Sequence, residues 1–169
     1  MNNKKTLFIC RHAKSSWKDL NLSDKERPLN KRGKRDAPFM GKLLSEKGER
    51  ADLIISSNAV RAVLTAKAYA KELGYPSENI RIVPNIYEAG SRELFGVIKQ
   101  IDDQYNNVFM FGHNPGFTLL YNFITDERLD NIPTSGVVKV SFDVSSWKEI
   151  EVGAGLTDYF EYPKKYRNG

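Results

Sequence analysis

A chain of 169 residues, 40% hydrophobic and 28% charged, is long enough to bury one sizeable core and has the composition of a soluble globular domain. No apolar run approaches the roughly 20 residues that a helix needs to cross a bilayer, and a single cysteine, Cys10, excludes an internal disulfide framework and favours a reducing, cytoplasmic setting. The net charge of +5 admits nucleic acid, anionic partners or merely a solvated surface, but no helix-turn-helix, zinc finger or RNA-binding aromatic motif accompanies it, and no Cys/His cluster has metal spacing.

The expectation is one domain over residues 1–169, monomeric, with no internal repeat, low-complexity linker, membrane segment or nucleic-acid partner. Met1-Asn-Asn-Lys-Lys leads directly into a first strand, without the apolar stretch of a signal peptide. That strand, Leu7 to Cys10, is an apolar run of the kind buried on both faces of a parallel sheet. Cys10 lies within it and is expected to be an inert, buried thiol. Arg11 and His12 follow at its carboxyl end, where open α/β sheets bind ligands. A guanidinium is a planar fork of donors suited to phosphate oxygens, and a neutral imidazole nitrogen can attack phosphorus.

Ser15 to Glu26 is polar and reads as a loop, with Trp17 its large anchor and Leu20 and Leu22 nearby. A helix is predicted from about Lys31 to Lys47, its apolar stripe formed by Phe39, Met40, Leu43 and Leu44. A second strand runs from Leu53 to Ser56. Asn58 is placed to cap the next helix, Ala59 to Leu73, whose core-facing set would be Val60, Val63, Leu64, Ala68 and Leu73. Arg61 and Thr65 are spaced i,i+4 and share a face. Arg61 is either an anion ligand near the helix start or an ordinary surface arginine.

Ile80 to Val83 reads as a short strand, and Pro84 to Gly90 as a loop containing Tyr87 and Glu88. A helix follows from about Ser91 to Ile101, with Ser91 as its cap. Asn107 to Gly112 is the strand before His113, the second of only two histidines in the chain. Phe117 to Ile124 reads as a helix and Val137 to Asp143 as a strand. Trp147 to Val152 is a possible hairpin partner across Ser145-Ser146. Beyond Gly153 the tail is polar, with Tyr159, Phe160 and Tyr162 available to dock. Basic residues gather at Lys25 to Arg35 and at Lys164 to Arg167; a solvated face accounts for both.

Arg11-His12 after the first strand, Ser-x-x-x-x-Arg61-Ala-x-x-Thr65-Ala66 beginning at Ser56 or Ser57, and the late Gly112-His113 together resemble the histidine phosphatase superfamily. The short length and Asp24-x-x-Arg27-Pro28-Leu29-x-x-x-Gly33 are similar to its small SixA-type phosphohistidine phosphatases. The resemblance covers roughly residues 5 to 143. Ala13 stands where the larger family often has Gly, and it is small enough to keep the turn. The resemblance implies an α/β fold with a mainly parallel central sheet flanked by helices, phosphoglycerate-mutase-like.

It also implies a catalytic set of His12 as nucleophile, with Arg11, Arg61 and His113 around the phosphoryl group. Arg27 and Asn114 are added as candidates for binding substrate; for Arg27 the alternative is a salt bridge to Asp24. Larger members protonate the leaving oxygen with an acid from the region of Glu88. Here Glu88 is either that donor or a loop carboxylate paired with Arg92 or solvent. No cofactor or metal is needed where arginines supply the positive charge. The expected partner is a phosphorylated protein, above all one carrying phosphohistidine. The alternatives are a small phosphate ester, or phosphate bound without turnover.

Overall fold

The three apolar runs at the centre of the sheet alternate between two cores, which is why they read as unbroken apolar stretches. In a computed structural model that describes residues 4–167, Leu7, Ile9, Leu53, Ile55, Val108 and Met110 face one side, and Phe8, Cys10, Ile54, Phe109 and Phe111 the other. Met1 to Asn3, which begin the expected lead into the first strand, and Asn168 and Gly169 lie outside the described residues.

The strands are β1 (Lys5–Arg11), β2 (Leu53–Ser56), β3 (Arg81–Ile82), β4 (Asn107–Gly112), β5 (Val137–Phe142) and β6 (Leu156–Glu161). The helices are α1 (Lys31–Glu46), α2 (Val60–Leu73), α3 (Ser91–Lys99) and α4 (Gly116–Ile124). Among the described residues the sheet has six strands in the order β3-β2-β4-β1-β5-β6. β3, β2, β4 and β1 pair in parallel, and β5 and β6 close the far edge antiparallel. This is the mainly parallel α/β fold expected. No helix among the described residues is long and apolar enough to cross a membrane.

Helices α1 and α2 cover the face that holds Phe8 and Phe111, with Met40, Leu44, Tyr69 and Ala70 buried against it. Phe8 stacks on Phe109 at 3.9 Å between ring centroids. Cys10 is fully buried there, donates weakly to Phe8 O at 3.6 Å, and has its thiol pKa pushed well up by burial, as an inert core thiol should. Helices α3 and α4 cover the other face through Leu94, Ile98, Phe117 and Leu120.

Four sequence expectations need correction. The buried face of α2 is Arg61, Ala62, Thr65, Ala66, Tyr69 and Ala70. Val60 is exposed and Val63 half-buried, while Leu64, Ala68 and Leu73, also half-buried, do pack against the core. Gly41 of α1 lets the two helices approach closely, since a Cβ there would lie 3.0 Å from the Tyr69 Cα, and Arg61 and Thr65 share the buried face of α2. Asn58 does not cap α2. The N-cap is Ala59, whose N–H donates to Ser57 Oγ at 3.3 Å.

At α3 the cap position is Gly90, not Ser91, and Glu93 accepts from the Gly90 N–H at 3.2 Å. The hairpin partner of β5 is Leu156–Glu161, not Trp147 to Val152. Trp147 is fully buried, its indole N–H donating to Tyr105 O at 2.7 Å and its backbone N–H to Asp103 Oδ1 at 2.9 Å. A tryptophan fixed in the core in this way turns the chain inward before it can return as a strand.

Gly33 sets the seam between β1 and α1. Asn30 caps α1 through the Gly33 N–H and donates its own N–H to Lys14 O. A Cβ at Gly33 would lie 2.1 Å from that same Lys14 oxygen, a backbone atom that cannot swing away. Gly33→Ala is therefore expected to lower stability by about 1–3 kcal/mol, the usual cost of forced overpacking. Urea unfolding should show the midpoint falling with an unchanged slope; an unaltered midpoint would mean that the seam is loose.

Candidate active site

The pairing of β1 with β4 aligns Arg11 with Gly112. His12 and His113, each one residue further on, therefore leave neighbouring strands side by side. Their ring centroids are 5.2 Å apart. β2 lies on the other side of β4, with Ser56 opposite Phe111, and Ser57 continues that pairing through its N–H to Phe111 O. The four catalytic candidates are thus gathered by three adjacent parallel strands and the helix that follows β2.

His12 is buried, and its backbone is held on both sides, by Gly112 O and by the Ser135 N–H. Its Nδ1 is 2.7 Å from Ala13 O. A carbonyl can only accept, so the neutral ring carries its hydrogen on Nδ1 and a lone pair on Nε2. Ala13, in turn, donates its N–H to Thr65 Oγ1 at 2.9 Å, and Thr65 donates to Arg61 O at 2.7 Å. The i,i+4 pair on α2 thus fixes both the turn that aims His12 and the helix turn that carries Arg61.

His113 Nε2 is 2.6 Å from Ser57 Oγ. When the Ser57 hydroxyl donates in this pair, the neutral His113 ring carries its hydrogen on Nδ1; that nitrogen is buried and has no protein partner. Arg11 donates from Nη1 to Ile132 O at 2.9 Å and keeps a buried Nε without a protein partner. Unpartnered buried donors of this kind cost stability unless something else satisfies them.

Arg61 is buried and faces the site, not solvent. It donates from Nη1 to Asp24 O at 2.7 Å and from Nη2 to Asp24 Oδ2 at 3.0 Å. Asp24 also accepts from Arg27 Nη1 at 2.9 Å and from the Tyr87 hydroxyl at 2.5 Å. The Tyr87 hydrogen bond, then Arg61 and Arg27, hold the Asp24 carboxyl down to about 2, so it is ionised at neutral pH. Arg27, a candidate for binding substrate, makes the alternative salt bridge to Asp24 and further donates to Ser16 O and Ser15 Oγ. Its guanidinium lies 3.4 Å from the centre of the Trp17 ring.

Asn114 lines the cleft, but its amide is engaged. It donates to Asn131 Oδ1 and Ile132 O and accepts from Thr118. Ile132 O is also the acceptor for Arg11, so Asn114 holds the segment that orients Arg11. Glu88 lies on the wall of the same cleft of about 430 Å³, with Asp24, Arg61, Tyr87 and His113. It is exposed and has φ +59, a left-handed conformation that costs a residue with a side chain about 1–2 kcal/mol. Among the described residues no ion pair joins it to Arg92. Nor do three or more His, Cys, Asp or Glu side chains gather there as metal ligands.

Tyr87 and Ser57 were not singled out as site residues by sequence. The Ser-x-x-x-x-Arg motif contained the signal for Ser57. Tyr87 had none beyond its place next to Glu88.

Comparison with known proteins gives a consistent picture. The family model of the histidine phosphatase superfamily (branch 1) matches residues 7–116. An uncharacterised chloroplastic protein of Arabidopsis thaliana is 29% identical over 151 residues, 85% of this chain and 69% of that one. Among solved structures, a chain from Agrobacterium tumefaciens described as a SixA phosphohistidine phosphatase superposes with a TM-score of 0.78 at 25% identity, covering 94% of this chain and 98% of that one. A protein histidine phosphatase SixA complexed with tungstate gives a TM-score of 0.79 at 21% identity, over 96% and 99% of the two chains, a likeness of fold.

The electrostatics yield a direct test. Burial first, then His113, Arg61 and Arg11, push the His12 pKa down to about 3; burial, then Arg61 and Arg11, push His113 down to about 4. Both lie below the ordinary value of about 6.5, so both rings are neutral at pH 7. Between about pH 6.5 and those folded values the unfolded chain binds more protons than the folded one, so this contribution to stability is lost as pH falls through that window. With only two histidines in the chain, NMR titration can follow each ring. Both should keep neutral-ring shifts down to about pH 5, whereas a midpoint near 6.5 for either would show that its ring is solvated.

Proposed function

We propose that this chain, which belongs to the histidine phosphatase superfamily and is a phosphatase, hydrolyses phosphohistidine or another phosphoprotein through a phosphohistidine of its own at His12, without a metal. The observation that carries the reading is the His12 tautomer. The Nδ1–H bond to Ala13 O leaves Nε2 as a free lone pair in a ring kept neutral by its surroundings. A nucleophile of this kind is active at neutral pH without a general base.

Phosphoryl transfer depends mainly on positioning and on stabilising charge over the equatorial oxygens. Arg11 Nε–H and His113 Nδ1–H, both buried without a protein partner, are donors for two of those oxygens. Arg61 spends two of its five N–H groups on Asp24 and keeps the rest for the phosphoryl group. His12 Nε2 attacks phosphorus in line, the bond to the leaving atom breaks, and water then cleaves the phosphohistidine and regenerates the ring. Asp24 and Arg27 support Arg61 from outside, and Asn114 supports Arg11 through Ile132. The two guanidiniums provide the positive charge that a metal provides elsewhere.

A monomer in a reducing compartment such as the cytoplasm belongs to the same reading; the lone, buried Cys10 is in keeping with it. The competing idea of a module that binds phosphate without turnover is disfavoured by two intact, neutral histidines. Glu88 favours a second reading, a small phosphate ester, because a carboxyl held at a costly φ on the cleft wall is the sort of strain found at functional positions.

The covalent step is tested by trapping. Wild type mixed with labelled substrate should yield an acid-labile, alkali-stable phosphoenzyme in the presence of EDTA, and His12→Ala should yield none. Label still trapped on a histidine of His12→Ala would assign the nucleophile elsewhere, and turnover lost in EDTA and restored by a divalent metal would overturn the metal-free route.

Glu88 distinguishes the two substrate readings. A leaving alkoxide is strongly basic and needs a proton in the transition state, help worth about 10²–10⁴-fold. A leaving imidazole takes its proton from solvent near neutrality. Glu88→Gln should therefore cost little on a protein phosphorylated on histidine and about two orders of magnitude on an alkyl phosphate. An equally large loss on phosphohistidine would make Glu88 an obligatory acid for both.

A further inference from the structure

We propose that Ser57 is a positioning residue that sets the tautomer of His113 and so makes that ring a hydrogen-bond donor to the phosphoryl group. This rests on the metal-free reading of the site and adds the group that decides what His113 can do there.

The assignment follows from where each hydrogen can go. Ser57 comes directly after β2 and is fully buried. Its backbone N–H is tied to Phe111 O at 3.1 Å, so the sheet itself fixes its hydroxyl next to the strand that leads into His113. A hydroxyl has one hydrogen to give and two lone pairs to accept with. One lone pair accepts from the Ala59 N–H at 3.3 Å. The hydrogen, shut away from water, needs an acceptor. Among the described residues that acceptor is His113 Nε2, 2.6 Å away.

The opposite arrangement leaves more unmet. Were the ring to donate from Nε2, the Ser57 hydrogen would be buried with nothing to bond. Nδ1, which has no protein partner, would then be a buried lone pair as well. Donation by Ser57 leaves one unmet group in place of two, and buried polar groups are seldom left unmet.

The group that remains is the Nδ1–H of a ring that lines the cleft. The ring is also held in place. Tyr87 meets it edge-on, with 5.4 Å between centroids and 85° between planes, and His113 O accepts from the Phe117 N–H at 2.9 Å. Both histidines then carry their hydrogen on Nδ1 and do opposite work. His12 commits its N–H to Ala13 O and presents a lone pair, whereas His113 commits its lone pair to Ser57 and presents an N–H. Ionised phosphoryl oxygens only accept. Without Ser57 a neutral His113 is free to hold its hydrogen on Nε2 and offer them a lone pair, which repels.

The test reads the rings directly. Nitrogen-15 NMR separates imidazoles protonated on Nδ1 from those protonated on Nε2, and with two histidines in the chain each ring reports separately. In wild type at pH 7 both rings should carry the hydrogen on Nδ1; a His113 ring protonated on Nε2 would overturn the assignment without any variant. In Ser57→Ala, His113 should lose its preference for Nδ1 while His12 keeps its own, since His12 is held through Ala13, Thr65 and Arg61. Movement of both signals would show that α2 had shifted and that Ser57 is merely structural. On p-nitrophenyl phosphate Ser57→Ala should lower kcat about ten- to hundred-fold, short of the 10²–10³-fold that outright loss of such a donor typically costs, because the hydrogen still visits Nδ1. KM should stay within about two-fold, as for an interaction made in the transition state. An unchanged kcat would also overturn the proposal. This substrate makes the result independent of whether phosphohistidine is the natural one. Failure to trap a phosphoenzyme at His12 would overturn the covalent route instead, and the ring signals would still decide the role of Ser57.

Discussion

The register of β1 on β4 is the constraint on which everything else depends. Because Arg11 is paired with Gly112, the next residue on each strand enters the same space above the sheet edge, and both are histidines. A slip of one residue in a strand sends its side chains to the opposite face. Here that would expose Leu7 and Ile9 to the wrong core and point one ring away from the other. The register is therefore secured by the same apolar alternation that builds the two cores, and the stability of the sheet and the geometry of the chemistry are one property.

Above that edge the charges are arranged to be tolerable without a ligand. Arg11 and Arg61 stand near two imidazoles that burial already keeps neutral. The Asp24 carboxylate, shared among Arg61, Arg27 and the Tyr87 hydroxyl, neutralises much of the remaining positive field. It does so from the exposed side, with a side chain 47% accessible, so the inner faces of the guanidiniums stay available.

Much of this was legible in the sequence. Arg11, His12 and His113 follow from apolar runs that end in the right residues, and unbroken apolar runs locate the central strands well; Arg61 is legible only through the Ser-x-x-x-x-Arg-Ala-x-x-Thr-Ala motif. What was not legible has a common physical origin in contacts distant along the chain. The face of α2 is set by its packing against α1 at Gly41, so Val60 is exposed and Leu64, Ala68 and Leu73 pack only at the margin of the core. β6 was hidden because Leu156 to Glu161 pairs at a sheet edge and carries little apolar signal, while Trp147, which looks like a strand residue, is drawn into the core by Asp103 and Tyr105. Asn114, a candidate for binding substrate, does line the cleft, and its bonds to Thr118, Asn131 and Ile132, invisible in sequence, also make it a brace of the wall.

The short bond from His12 Nδ1 to Ala13 O also has a stereochemical consequence. With one ring nitrogen committed to a backbone carbonyl, a phosphoryl group on this imidazole can sit on the other alone. The adduct is then the tele isomer and not the pros isomer. On the proposed mechanism, reagents that distinguish the two regioisomers would detect the phosphoenzyme with only one of the pair. A backbone oxygen with no part in bond making would thereby decide which isomer forms.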